Sequence, residues 1–314
     1  MEKLVNDSRL MIKVCDLYYN QKWKHQQISD TLHISRPTVS RILSSAVEKG
    51  IVRITVNNLH TVKYWDIEQR IKTRYKLRDA VIVDTQNGNE LKRVLGDAAR
   101  RYLESCVKDG DILGISMGST LYHAVYGAFE RRARDVTVIP LIGGMGWLRT
   151  ELHSNHLAEN LAKAYGGKIF PLYAPARVSN SSVRNLLRKE PSVADVLQRQ
   201  KEVTVALVGV GYPNENSSIK ATGYYKNNEI QSLLERGVAG EICMQFYDIE
   251  GNTAPYKKDN SVIGIALERL KKIPYSIGVV GGEDKIPAIK GAIHGGYINI
   301  LITDYRCGEM LLEE

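Results

Sequence analysis

The 314-residue chain has only four cysteines, Cys15, Cys106, Cys243 and Cys307, with no C-x-x-C pair and no histidine at ligand spacing. That scarcity excludes a disulfide scaffold and a zinc finger, and it fits buried free thiols in a reducing cytosol. No apolar run approaches the roughly 20 residues of a membrane-spanning helix, so no membrane partner is expected. The N-terminus lacks a signal-peptide pattern, and short-period repeats and low-complexity segments are missing too. With 43% hydrophobic and 25% charged residues, the composition implies a soluble, cytoplasmic, globular protein. Its length suffices for two domains, one with a substantial core.

The most informative stretch runs from Gln26 to Leu43. Ile28 and Leu32 lie one helical turn apart, and Val39, Ile42 and Leu43 repeat at i, i+3 and i+4. Two short helices joined by a tight turn follow, with Ile34 plugging the angle between them. Ser35 suits the N-cap of the second helix, and Pro37 falls in its first turn, where no N–H is required. Arg36, Thr38, Ser40 and Arg41 are then expected on the exposed start of that helix. Two cations flanked by hydroxyls suit a DNA major groove. Gln26 and Gln27, opening the preceding helix, are candidate phosphate contacts, and Ser35 joins the set through its position at the cap. An ordinary helical hairpin with solvated charges is the plainer reading. The agreement of caps, plug and basic face favours a helix-turn-helix.

Charge supports this. Of the net +8, residues 1–60 hold nine Lys/Arg against five Asp/Glu, so half the excess lies in under a fifth of the chain. Such a field favours a polyanion, with binding that weakens as salt rises. An amphipathic helix over 9–19 can pack behind the hairpin, and Lys22, Trp23, Lys24 and His25 can touch the DNA backbone. The alternation over 51–56 predicts a strand, hence a winged variant. A charged segment over 61–76 reads as a connecting helix.

From Leu77 the rhythm becomes strand, loop, helix, repeated. Apolar runs at 80–83, 112–115, 136–141, 169–173, 203–208, 276–280 and 298–302 alternate with helical stretches. Continuous β-branched runs between helices indicate an α/β fold, a mostly parallel sheet covered on both faces. Ligands in such folds bind beyond the carboxyl ends of the strands. There the chain places Ser116-Met117-Gly118-Ser119-Thr120, Gly143-Gly144-Met145-Gly146 and Gly281-Gly282-Glu283-Asp284-Lys285. Glycine admits a close ligand, hydroxyls and helix-start N–H groups bind an anion, and Lys285 adds a positive charge. These loops suit a phosphorylated small molecule. A clean G-x-G-x-x-G with a downstream acid is missing, which disfavours a dinucleotide.

Several segments together resemble the SorC family of bacterial sugar-responsive transcriptional regulators. They include Leu17-Tyr18-Tyr19, Ile34 to Arg41, Lys108-Asp109-Gly110-Asp111, Gly114 to Gly118, Gly240-Glu241-Ile242-Cys243 with Phe246-Tyr247-Asp248, Gly281 to Lys285, and His294 to Asn299. The resemblance spans almost the whole length. It implies a winged helix-turn-helix over 1–58, a connecting segment over 59–76, and a Rossmann-like effector and oligomerisation domain over 77–314. That domain would be similar to the glucosamine-6-phosphate deaminase/ribose-5-phosphate isomerase fold. Also implied are a phosphorylated sugar or polyol effector, double-stranded operator DNA, and a homo-oligomer (dimer or tetramer). No cofactor is implied.

By position, Ser116, Gly118, Ser119 and Thr120 match the family's phosphate loop, with Gly143 and Gly144 beside it; Glu241 matches an acidic effector contact and Lys285 a basic one. Two departures stand out. Ile142 occupies the place of a Schiff-base lysine found in some relatives, so covalent capture is not expected. Gln245 replaces an arginine common before the Phe-Tyr-Asp triplet.

His153, His156 and Glu159 lie at near-helical spacing but not in H-E-x-x-H order, and no metal site is expected from them. Asp111, Asp248 and Asp304 read as caps or element ends. No catalytic residue is assigned. The competing reading is a sugar-phosphate isomerase or deaminase with an N-terminal appendage; a third is a non-specific nucleic-acid-binding protein.

Overall fold

Local sequence signals account for the helices at the start of the chain. In the computed structural model, which describes residues 7–52, 64–84, 88–130, 133, 135–144, 149–214 and 217–313, α1 spans Ser8–Cys15 and runs into a wider turn over Asp16–Asn20. Asp7 caps α1, its carboxylate accepting from the Arg9 and Leu10 N–H groups at 2.9 and 3.2 Å. Helix α2 (His25–Leu32) ends on His33 in the left-handed conformation, φ 53°. Helix α3 (Arg36–Glu48) starts at Ser35, whose hydroxyl accepts from Thr38 N–H, with Pro37 in the first turn. Met11, Val14, Leu17, Ile28, Val39, Ile42 and Ala46 interlock as the buried core, with Ile34 and Trp23 packed against it. The strand expected over 51–56 lies outside the described residues from position 53 on.

The chain divides into two units, Met1–Lys63 and Tyr64–Glu314. In the larger, a seven-stranded parallel sheet has the order β1-β9-β8-β5-β2-β3-β4. Its strands are β1 (Asp79–Val83), β2 (Ile112–Ile115), β3 (Thr137–Pro140), β4 (Lys168–Ile169), β5 (Val205–Gly209), β8 (Tyr275–Val279) and β9 (Ile300–Asp304), while β6 (Gly240–Ile242) and β7 (Gln245–Tyr247) form a separate antiparallel hairpin. The α/β expectation with a mostly parallel sheet is met. The run expected over 169–173 is shorter, pairing only at Lys168 and Ile169.

The strands read as continuous apolar runs because both faces are covered. Val205, Leu207, Ile300 and Ile302 join one core with Leu95, Leu121 and Leu157. Those three belong to α5 (Leu91–Cys106), α6 (Ser119–Val125) and α7 (Ser154–Tyr165). Ala206, Val208 and Leu301 point the other way, into a second core with Ile71, Ile289 and Leu311. Ile71 lies on α4 (Trp65–Tyr75), Ile289 on α13 (Ile286–His294) and Leu311 on α14 (Tyr305–Glu313). The numbers between belong to α8 (Ser181–Leu187), α9 (Pro191–Arg199), α10 (Ser218–Ala221), α11 (Asn227–Glu235) and α12 (Leu267–Leu270).

Helix α4, read from sequence as a connecting element, packs onto the larger unit. Strand β1 is a sheet edge, and the Glu68 carboxylate accepts from its Ile82 N–H at 2.8 Å. A donor that would otherwise be left open is thereby satisfied. Tyr75 Oη–H donates to Leu311 O at 2.9 Å, which ties the same helix to α14.

Candidate functional site

The chain builds outward from β2 to β3 and β4, then returns to the other side of β2 with β5 and β8. Order therefore reverses between β2 and β5, where the carboxyl ends of the strands leave a crevice. A cavity of about 480 Å³ lies there. It collects Ser116, Gly118, Ser119, Thr120, Glu241 and Lys285, six of the eight residues expected around a small-molecule ligand. Sheet geometry explains the convergence: loops following β2, β5 and β8 open at one end of adjacent strands.

Each of these has a defined local role. Ser116 is buried; its Oγ accepts from Gly209 N–H at 3.2 Å, locking the β2 loop to β5. Gly118, at φ 126°, turns the chain into α6 in a conformation open mainly to glycine. The first-turn N–H groups of α6 have no partner within the helix, and beside them stand the Ser119 and Thr120 side chains.

Glu241 reaches the cavity from β6. Its backbone exchanges hydrogen bonds with Gly211 at 2.8 and 2.9 Å, and a side chain at 211 would collide with its carboxylate, 2.2 Å from Oε1. The other carboxylate oxygen accepts from Met244 N–H at 2.8 Å. That bond braces a two-residue turn in which Cys243 and Met244 both have positive φ, 52° and 57°, the geometry that matches strand twist in a hairpin. Burial pushes the Glu241 carboxyl up to about 7, against the opposing pull of the Met244 N–H and the Lys285 charge. The cavity thus presents a carboxyl that holds its proton well above the ordinary carboxylate range.

Gly143 and Gly144 do not line this cavity. Their N–H groups are spent on Ile263 O at 2.9 Å and Ala174 O at 2.8 Å, and a side chain at 143 would strike the Ala174 carbonyl. The glycines serve close backbone packing; Met145 and Gly146 lie outside the described residues. Gln245 also faces elsewhere, donating to Ile265 O at 2.8 Å.

Sequence reasoning missed Lys92, in the first turn of α5, and Tyr212, Asn214 and Asp284, all of which line the cavity. Asn214 Nδ2 donates to Asp284 Oδ2 at 3.2 Å, joining the β5 and β8 loops. No spacing marks Lys92, because its part in the cavity depends on how α5 lies beside α6. Asp304 caps α14 through Cys307 N–H and accepts from Gly282 N–H at 2.8 Å, as an element-ending residue should. His156 faces the Tyr126 hydroxyl at 2.7 Å. Among the described residues, no three His, Cys, Asp or Glu side chains are grouped to hold a metal.

In the helical unit Ser35, Arg36, Ser40 and Arg41 are exposed along one side of α3, together with Ser44, which sequence reasoning did not name. Gln26 and Gln27 are exposed at the start of α2. Gln26 donates to Asp30 at 2.7 Å, and Gln27 accepts from Lys24 N–H at 2.9 Å. Thr38 corrects the expectation of an exposed side chain: it is buried, with Oγ1 2.8 Å from Ser35 Oγ. Position 38 lies one turn before Ile42, on the inward side of the helix. Its hydroxyl belongs to the capping arrangement.

Residues 60–313 match the Sugar-bind family model, a sugar-binding domain. The chain is 32% identical over 312 residues to the sorbitol operon regulator of Klebsiella pneumoniae, covering 98% of this chain and 99% of that protein. It is 31% identical over 313 residues to the deoxyribonucleoside regulator of Bacillus subtilis, covering 98% of both. The crystal structure of the full-length sorbitol operon regulator SorC from Klebsiella pneumoniae superimposes with a TM-score of 0.74 at 32% identity, over 98% of this chain and 99% of that one.

Proposed function

The chain belongs to the SorC family of transcriptional regulators, and from that premise we propose that it is a sequence-specific DNA-binding regulator of a carbohydrate-utilisation operon whose operator affinity responds to a phosphorylated sugar or polyol. The helical unit is read as a winged helix-turn-helix over 1–58, followed by a connecting segment over 59–76. Residues 77–314 are read as a Rossmann-like effector and oligomerisation domain of the glucosamine-6-phosphate deaminase/ribose-5-phosphate isomerase type. Arg36, Ser40 and Arg41, with Ser35, Gln26 and Gln27, form the DNA face. A homo-oligomer presents two such faces to a two-fold operator.

The observation that carries this reading is the strand-end cavity. There Ser119 and Thr120, at the first turn of α6, share one space with Lys92 and Lys285. Hydroxyls, open amides and cations together favour a phosphate, and Glu241 suits a sugar hydroxyl. Effector binding then shifts the population between conformations of different DNA affinity, and operator DNA alters effector affinity by the same factor.

Footprinting DNA upstream of its own and neighbouring genes, with and without a panel of phosphosugars, tests this. Protection of a discrete two-fold site, changed by one compound, is expected. Consumption of a phosphosugar without sequence-selective protection would reverse it. A second, catalytic reading rests on Glu241, a carboxyl that lines the cavity, is held by burial above the ordinary carboxylate range, and can serve as an acid or base. A variant lacking residues 1–60 would then keep its turnover.

A further inference from the structure

A second recess lies in the helical unit, an open groove of about 530 Å³ whose lining includes Arg36 but not Ser40 or Arg41. Tyr18, Tyr19 and Trp23 line it together with three exposed cations, Lys22, Lys24 and Arg36. His25 lies alongside, its ring 5.1 Å from that of Tyr18. None of the three cations has a carboxylate partner among the described residues. Three acids of this unit are engaged elsewhere: Asp7 caps α1, Asp16 accepts from Asn20 and Gln21 at 2.8 Å, and Asp30 accepts from Gln26. Lys22 is held in the left-handed conformation, φ 60°, in the turn before α2. The Tyr18 and Tyr19 hydroxyls have no hydrogen-bond partner among the described residues.

Three like charges around one groove repel one another until an anion occupies it. The tyrosine hydroxyls lining the groove are neutral donors of the kind that phosphate oxygens accept from. We propose that this groove clamps the sugar–phosphate backbone of duplex DNA, with Lys22, Lys24 and Arg36 on phosphates and the Tyr18 and Tyr19 hydroxyls donating to them. The assignment rests on the DNA-binding reading above and divides its residues: Arg36 positions the protein on the backbone, while Arg41 and Ser40, outside the groove, read bases.

The test is fluorescence anisotropy of the full-length protein with two duplexes, the footprinted site and an unrelated sequence, across a salt titration. Lys22→Ala and Arg36→Ala should weaken both duplexes by the same factor, and each should lower the log–log salt slope by about one. Arg41→Ala should instead shrink the ratio between the duplexes. The side chains at 22 and 36 are exposed, and circular dichroism checks that the variants fold. Unchanged slopes in Lys22→Ala and Arg36→Ala, or loss confined to the specific site, would overturn the clamp while leaving DNA binding in place. A wild-type protein that binds neither duplex would overturn both readings.

Discussion

The two cationic sites of this protein hold their charges in opposite ways. In the α/β unit, Lys285 stands in a recess beside a carboxyl that burial has lifted toward neutrality. In the helical unit, Arg36, Arg41, Lys22 and Lys24 stand in solvent without carboxylate partners among the described residues. A recessed site can select a small molecule because desolvation makes each group there matter. An exposed cationic face gains little from any single contact and depends on many phosphates at once. On the proposed function, the contrast teaches that the same residue types would serve selectivity in one unit and positioning in the other.

The sharpest way to break the comparison is to remove the scaffold of one side. Ile42 is fully buried in a core of few residues, and Ile42→Ala should cost the helical unit roughly 2–5 kcal/mol. Calorimetry should then show that unit melting early, with the transition of the larger unit unmoved. A common shift of both would mean that the units do not unfold independently.

Glu241 sharpens the other side. Its carboxyl titrates near 7 in the fold against an ordinary value of 4.5. The native state therefore holds a proton that the unfolded chain has released between those values. The stability this one group contributes is fully present below about 4.5 and is lost as pH rises through 7, an effect on the order of 3 kcal/mol. Glu241→Gln, uncharged throughout, should flatten that part of the pH–stability curve measured by denaturant titration. A wild-type curve that is already flat would show the carboxyl to be ionised and paired.

Lys285→Ala should weaken effector binding by about 1.5–3 kcal/mol, the worth of one charge-assisted hydrogen bond, with effector-free DNA affinity intact. Equal affinities by titration calorimetry would remove Lys285 from the site. The smallest effect belongs to the cap of α3. Ser35 accepts from Thr38 N–H, and Ser35→Ala should cost about 1 kcal/mol of stability in the helical unit. A thermal melt with no change would mean that Pro37 alone fixes the helix start.

Much of this was legible in the sequence because the signals are local. The Ser35 cap, the Ile28 and Ile42 positions and the alternation of apolar runs with helices all express backbone periodicity, which composition and spacing record directly. The hairpin of β6 and β7 was not legible as structure. Its strands are three residues each, and its turn uses Cys243 and Met244 where asparagine and glycine would announce it. Glu241 substitutes for that missing turn chemistry by accepting the Met244 N–H. Thr38 misled because one helical position, half a turn from Arg36, decides between solvent and core.

The amino-acid order by itself determined the layered α/β unit, the capped helices ahead of it, and which loops fall at the carboxyl ends of strands. These are consequences of periodicity and of turn residues, and they need no knowledge of the final packing. Only the tertiary structure decided which of those loops meet. Strand order brought the β2, β5 and β8 loops together and left Gly143 and Gly144 to backbone pairing, because adjacency in a sheet is set by long-range pairing that no local pattern records. Helix packing likewise gathered Tyr19, Lys22 and Arg36 around one groove, joining residues that stand apart in the chain.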